Sequence, residues 1–281
     1  MTSTAKQRAV VICPGRGTYN KEELGYLQRH HQNKSQLLNV IDTERAAKGQ
    51  PTVQELDQMQ SYSMKVHTAG ENASSLIYAC AAGDFQDINQ DKYDIVGVTG
   101  NSMGWYIALA VSGALSPQAS IEVINTMGSM MAAGIIGGQL IYPVMNEHWH
   151  IDQNKVDMVN QSIAEINLLP NAQVYLSINL GGYLVLGGNN DGLVKLSEQL
   201  PTIDDTYPMR LFNHAAFHTP LLTDVAAKAQ QLLPTTLFNA PSIPLIDGLG
   251  NIWQPYTTDI HKLHHYTLQT QVCSPYNYLV L

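Results

Sequence analysis

The stretch YDIVGVTGNSMG, residues 93–104, decides the fold and contains the clearest chemical motif of the chain. Its β-branched residues predict a buried strand over 93–99, and the apolar segment 105–112 after it has a helical period. Between them lies Gly-x-Ser-x-Gly, centred on Ser102. A serine on such a strand–turn–helix has its hydroxyl at a helix N-terminus, where the dipole favours a developing oxyanion. This predicts a serine nucleophile; the structural alternative is a helix-capping serine with packing glycines.

On either side, short apolar strands alternate with segments of helical period, which is typical of α/β proteins. Residues 9–12 predict a first buried strand, and the Pro and Gly residues of 13–17 predict a turn after it. Helices are predicted over about 72–80 and from Ser116, because serine caps helices well and Pro117 fits the first turn.

The pattern changes between about residues 134 and 205. Its β-α-β-β-α order is typical of a split-βαβ, ferredoxin-like subdomain. We therefore expect an α/β fold with an α/β-hydrolase-like large subdomain, formed by 1–133 and 205–281, and an inserted ferredoxin-like small subdomain over 134–204. The predicted segments are strands at 139–145, 173–179 and 183–188 and helices at 152–166 and 191–199.

Composition excludes several functional classes. The 281 residues include 15 Lys and Arg against 23 Asp and Glu, a formal charge of -8, so the positive footprint of a nucleic-acid binder is missing. The sequence shows neither a signal peptide nor an apolar stretch of membrane-spanning length. Three widely spaced cysteines favour free thiols in a reducing compartment. We expect a soluble cytoplasmic protein without nucleic-acid or membrane partners.

Ten histidines offer a base that could activate a serine hydroxyl. His218 is favoured because it ends an extended segment just before a helix that starts with proline, and His214 is its competitor. Two other groups, His148 with His150 and the cluster at 261–265, lack Cys, Asp or Glu partners at zinc-site spacing. We therefore expect no metal site.

Five blocks, in matching order, resemble the malonyl-CoA:acyl-carrier-protein transacylase family, which includes the acyltransferase domains of polyketide synthases. The resemblance covers nearly the whole chain, because the blocks extend from residue 13 to residue 275. The blocks are CPGRGT at 13–18, GNSMG at 100–104 with SGALS at 112–116, NLGGYLVLGG at 179–188, AFHTPLL at 216–222 and QVCSP at 271–275.

The resemblance implies ping-pong acyl transfer. Ser102 would attack an acyl thioester, and His218 would act first as general base and then as general acid. The backbone N–H groups of Arg16 and Met103 would form the oxyanion hole, and the backbone carbonyl of Gln271 would orient the histidine. The resemblance implies acyl-CoA or acyl-phosphopantetheine as substrate, an acyl carrier protein as partner and no permanently bound cofactor.

Departures from the family pattern concern the acyl pocket, for which Asn101, Trp105, Met127 and Asn179 are the predicted residues. Met127 stands where malonyl-handling members have an arginine that clamps the carboxylate. Methionine cannot pair with a carboxylate, so we expect an uncharged acyl group. Arg16, at a position that is normally glutamine, is the less favoured source of a replacement charge. Asn101 and Trp105 replace the usual histidine and glutamate around the nucleophile.

Three functional classes follow from these residues. The first is an acyltransferase that loads a carrier protein. The second is a hydrolase that uses the same acyl-serine with water as acceptor, because the family members that lack the arginine include hydrolases that remove stalled acyl groups from carrier proteins. The third is a catalytically weak docking subunit, against which the retention of both Ser102 and His218 counts.

Overall fold

The computed structural model describes residues 5–280. The strands are β1 (Gln7–Cys13), β2 (Tyr93–Gly100), β3 (Gly138–Pro143), β4 (Val174–Asn179), β5 (Tyr183–Gly188), β6 (Met209–Arg210), β7 (Leu245–Ile246), β8 (Ile252–Trp253) and β9 (Tyr276–Asn277). The helices are α1 (Tyr26–His30), α2 (Ser35–Ala47), α3 (Val53–Asp57), α4 (Met64–His67), α5 (Gly70–Gln86), α6 (Met103–Val111), α7 (Pro117–Ser129), α8 (Gln153–Ile166), α9 (Asn190–Gln199), α10 (Thr223–Leu232), α11 (Ile260–His265) and α12 (Gln271–Cys273). A π-helix, Tyr266–Thr270, joins α11 to α12, and short 3-10 turns occupy Pro220–Leu222, Thr235–Leu237 and Tyr278–Val280.

The first of two compact units is built from the chain up to Ala132 and from Gln231–Thr267. Its sheet has the order β1-β2-β7-β8, in which β1, β2 and β7 are parallel and β8 is antiparallel to β7. Cys13 pairs with Gly100, so the loops after β1 and β2 leave the same edge of the sheet. Parallel α/β sheets carry their binding groups at this edge.

Strand β1 forms where the sequence predicts it, but the prediction that it is buried was wrong. The side chains of Val10 and Ile12 are 51% and 62% exposed. Val10 and Ile12 point to the same face of the strand, and the residues that the structure describes leave that face exposed, whereas Cys13 on the other face is buried.

Helices α5 and α7 of this unit approach each other closely at two glycines. A β-carbon on Gly70 would lie 2.5 Å from the carbonyl oxygen of Gly128, and one on Gly128 would lie 2.8 Å from the carbonyl oxygen of Gly70. Because no side chain fits there, the backbones meet directly. This contact fixes the end of α7, and with it the position of Met127.

Within the described residues, the second unit comprises 133–230 and 268–280. Its sheet has the order β6-β3-β5-β4-β9, in which β3 pairs antiparallel with β5 and β6, and β4 pairs antiparallel with β5. The order β3-α8-β4-β5-α9-β6 along the chain confirms the predicted ferredoxin-like subdomain. The apolar residues of α8 and α9 pack on the inner side of the sheet with Leu140, Val174 and Leu186.

The unit boundaries extend beyond the predicted 134–204. Residues 205–230 and 268–280, which the sequence places in the large subdomain, belong to the second unit. The physical reason is hydrogen bonding. Strand β6 pairs with β3, β9 pairs in parallel with β4, and the carbonyl of Phe217 accepts hydrogen bonds from Gln139 and Ser177. Among the described residues, no helix is long and apolar enough to cross a membrane.

Candidate active site

Ser102 occupies the sharp turn between β2 and α6. Its backbone has φ 54° and ψ −113°, a strained conformation for a residue with a β-carbon that costs on the order of 1–3 kcal/mol. The residue stands at the N-cap position of α6, yet its side chain makes no capping hydrogen bond. The side chain therefore does not cap the helix, which is the structural alternative to a nucleophile for this serine.

The glycines around Ser102 are required by close backbone contacts. A β-carbon on Gly100 would lie 2.2 Å from the carbonyl oxygen of Gly104, and one on Gly104 would lie 2.4 Å from that of Cys13. Contacts this short exclude any side chain. The loop after β1, which carries Arg16, therefore lies against the turn that carries Ser102.

The side chain of Arg16 is held within its own unit. Its Nη2 donates a hydrogen bond to the carbonyl oxygen of Thr68 at 2.7 Å. Burial lowers the pKa of Arg16, and the nearby carboxylate of Glu71 raises it in part. The guanidinium charge is therefore directed towards a backbone carbonyl and an acidic side chain of the same unit.

The residues predicted to line the acyl pocket differ in exposure. Met127 and Asn101 are both half-buried. The Oδ1 atom of Asn101 is buried and accepts no hydrogen bond from the residues that the structure describes. Trp105 is more deeply buried than either of them. It has no exposed surface, and its Nε1 donates to Oγ1 of Thr267 at 3.0 Å, which places the indole in the core of the first unit.

His218 lies in the second unit, where two successive carbonyls hold it. Its backbone N–H donates to the oxygen of Val272 at 2.9 Å, and its Nδ1 lies 2.6 Å from the backbone oxygen of Gln271. Burial lowers the pKa of His218 to about 4, although the hydrogen bond to Gln271 opposes this shift. The neutral ring therefore carries its proton on Nδ1, and Nε2 keeps the lone pair that a general base requires.

The carbonyl of Gln271 is available to His218 for a reason that is visible in the sequence. In a helix this oxygen would accept from the N–H four residues later, but that residue is Pro275, which has no N–H. Helix α12 also ends at Cys273, and its last carbonyls need partners outside the helix. A Gln-x-x-x-Pro spacing at the end of a helix is the signal by which this acceptor could have been found.

Two further predicted residues are engaged in local contacts. The Nδ1 of His214, the competitor of His218, lies 2.9 Å from Oε1 of Gln139. The side chain of Asn179 accepts from the backbone N–H of Gly181 at 3.0 Å, which stabilises the turn between β4 and β5. Within residues 5–280, no group of three or more His, Cys, Asp or Glu side chains is placed to hold a metal ion.

Solved structures share this architecture over nearly the whole chain. A malonyl-CoA:ACP transacylase from Synechocystis matches with a TM-score of 0.76 at 16% identity, over 95% of this chain and 82% of that one. An acyl carrier protein S-malonyltransferase from Vibrio cholerae matches with a TM-score of 0.76 at 18% identity, over 98% and 84%. The chain has the malonyl-CoA:acyl-carrier-protein transacylase fold.

A third structure with the transacylase fold is a malonyl-transacylase in complex with its type II polyketide synthase acyl-carrier protein. It matches with a TM-score of 0.76 at 17% identity, over 97% of this chain and 83% of that one. No family model and no curated protein matches the sequence. The likeness therefore lies in the transacylase fold.

Proposed function

We propose that this protein is an acyltransferase that moves an acyl group between a CoA or carrier-protein thioester and a phosphopantetheine thiol. The observation that carries the proposal is the hydrogen bond between Nδ1 of His218 and the carbonyl of Gln271. It supports a neutral imidazole with Nε2 as the base, which is what activation of a serine requires. The strained turn at Ser102 supports the same reaction, because such turns expose a nucleophile.

In the first half-reaction, Nε2 of His218 takes the hydroxyl proton of Ser102 as Oγ bonds to the thioester carbonyl carbon. The backbone N–H groups of Arg16 and Met103 stabilise the resulting oxyanion. The C–S bond then breaks, and the imidazolium returns the proton to the leaving thiolate. In the second half-reaction the phosphopantetheine thiol attacks the acyl-serine by the same steps in reverse, which regenerates the Ser102 hydroxyl.

The acyl group is uncharged in this proposal. Met127 offers no positive charge, and helix α7 contains no basic residue. Arg16 is directed towards Thr68 and Glu71. A carboxylate bound near Met127 would lose its hydration without gaining an ionic partner, which is costly. Acetyl or a longer unsubstituted acyl chain carries no such penalty.

Arg45 is a buried cation of the first unit, and its guanidinium is fully engaged by neighbouring acceptors. Its side chain is fully buried, and burial lowers its pKa to about 10. Five acceptors on α5, α7 and the chain before α3 hold the guanidinium. They are the carbonyl oxygens of Pro51 and Glu71 and the side-chain oxygens of Asn72, Ser75 and Asn125. Arg45 therefore serves the fold and not a substrate carboxylate.

Intact-mass spectrometry tests the proposal directly. The protein is incubated with acetyl-CoA, a longer acyl-CoA and malonyl-CoA, and Ser102→Ala serves as the blank. We expect an adduct with the uncharged donors that is absent in the blank and that passes to a holo acyl carrier protein. Thioester turnover without a persistent adduct would indicate a hydrolase instead. An absence of both adduct and turnover with every donor would contradict the proposal.

The pH profile is a second test of His218 as the base. Because burial lowers its pKa to about 4, the imidazole stays neutral well below the ordinary value of 6.5. We expect kcat/KM to hold as pH falls through 6.5 and to decline only towards pH 4. An acid limb centred between pH 6 and 7, in a protein that is still folded, would contradict this assignment.

Stability changes over the same pH range and has to be measured alongside activity. The unfolded state takes up a proton at His218 near pH 6.5, whereas the folded state does so only near pH 4. The contribution of His218 to the free energy of unfolding is therefore fully present above pH 6.5. It decreases by about 3 kcal/mol as pH falls to 4. Circular dichroism at each pH separates loss of fold from loss of the base.

A further inference from the structure

The carbonyl that holds His218 follows directly on an unusual piece of backbone. Residues Tyr266–Thr270 form a π-helix between α11 and α12, and Gln271 is the next residue. π-helices are rare, appear mostly as single turns inside α-helices, and occur frequently at functional sites. Some neighbouring contact must therefore stabilise this one.

That contact comes from the nucleophile helix. Trp105, three residues after Ser102, donates from Nε1 to Oγ1 of Thr267 at 3.0 Å, and both residues are fully buried. The indole ring also packs edge-on against Tyr266, with ring centroids 5.1 Å apart and an angle of 80°. Trp105 thus contacts the first two residues of the π-helix.

The direction of the Gln271 carbonyl depends on the register of this segment. Successive residues of a helix are rotated by about 100°, so a relaxation of the π-helix by one residue would turn that carbonyl away from its present direction. The indole N–H is a single donor that is costly to bury without an acceptor. Its bond to Thr267 holds the π-helix in the register observed.

We propose that Trp105 and Thr267 are positioning residues: their hydrogen bond fixes the π-helix so that the Gln271 carbonyl meets Nδ1 of His218. The proposal rests on the proposed function, since it gives this carbonyl a role in orienting the general base. The competing role is plain core packing, which would affect stability and not the state of the histidine.

The test uses the isosteric substitution Thr267→Val, which removes the acceptor and keeps the shape, and Thr267→Ser, which restores the hydroxyl. In protein with 15N-labelled histidine, we expect the downfield Nδ1–H resonance of His218 in the unchanged protein. The resonance is assigned to His218 by its absence from the spectrum of His218→Ala. We expect Thr267→Val to lose or broaden this resonance and to lower kcat roughly ten- to a hundredfold at unchanged KM. Thr267→Ser should recover most of the resonance intensity and most of kcat.

A second pair of variants separates positioning from packing. Trp105→Phe removes the donor. Trp253→Phe is the matched control, because its ring also packs against Tyr266, with centroids 6.0 Å apart, but its indole N–H donates to Asp247 at 3.0 Å and not to the π-helix. Only Trp105→Phe should change the resonance. An unchanged resonance in folded Thr267→Val and Trp105→Phe would overturn the proposal. The resonance can be measured without turnover. If the unchanged protein has no acyltransferase activity and Thr267→Val still loses the resonance, only the proposed function is refuted.

Discussion

His218→Ala is expected to lower kcat by on the order of ten-thousand-fold, with little change in KM. A serine hydroxyl is a poor nucleophile without a base, and the Nδ1 hydrogen bond to Gln271 leaves Nε2 of His218 as the atom to supply one. Single-turnover formation of the acyl-enzyme, followed by intact mass in a rapid-quench experiment, measures the loss at the first chemical step.

His214→Ala is the matched control for this prediction. His214 lies four residues away in the same unit, is half-buried and has its Nδ1 beside the amide oxygen of Gln139. Its removal should change kcat only slightly. If His214→Ala abolishes acylation and His218→Ala does not, the assignment of the base to His218 is wrong.

The sequence predicted those parts of the fold and site that depend on neighbours in the chain. The turn at Ser102 is one of them, since the contact that requires Gly100, with the carbonyl of Gly104, is one that a strand–turn–helix creates wherever it forms. The cap of α7 is another, because the hydroxyl of Ser116 accepts from the N–H of Ala119. Strand β5 has the predicted bounds, Tyr183–Gly188.

What the sequence missed depends on contacts between distant segments. The pattern at Val10 and Ile12 indicates a strand, but whether their face of the strand is covered depends on which distant segments pack on it. Trp105 was predicted to line a pocket because of its place beside the nucleophile. Its burial is decided by Tyr266 and Thr267, more than 160 residues away in the sequence.

The carbonyl of Gln271 is an intermediate case. The resemblance to a family suggested its role, although the sequence itself holds a physical reason. Pro275 cannot donate to this oxygen, so an acceptor is left at the end of α12. The π-helix before it could not be predicted, because no local pattern distinguishes Tyr266–Thr270 from an ordinary helix.

Met127→Arg is expected to change the preferred acyl donor from acetyl to malonyl. A guanidinium can bind a carboxylate through two parallel hydrogen bonds, whereas methionine offers the carboxylate nothing. We expect the ratio of malonyl to acetyl adduct to rise roughly a hundredfold or more, which corresponds to about 3 kcal/mol. Competition between equimolar donors, followed by intact mass, measures this ratio. Because Met127 is half-buried near the end of α7, a longer side chain has a route towards solvent.

Two variants show whether this change depends on the position and the charge. Met127→Gln introduces polarity without charge, and Met130→Arg places the same charge just beyond the end of α7. Neither should raise the malonyl adduct as Met127→Arg does. A strong malonyl adduct in the unchanged protein would contradict the prediction of an uncharged acyl group, because it would mean that another group already neutralises the carboxylate. Arg16 would then be the first residue to replace, since the loop that carries it lies against the turn at Ser102.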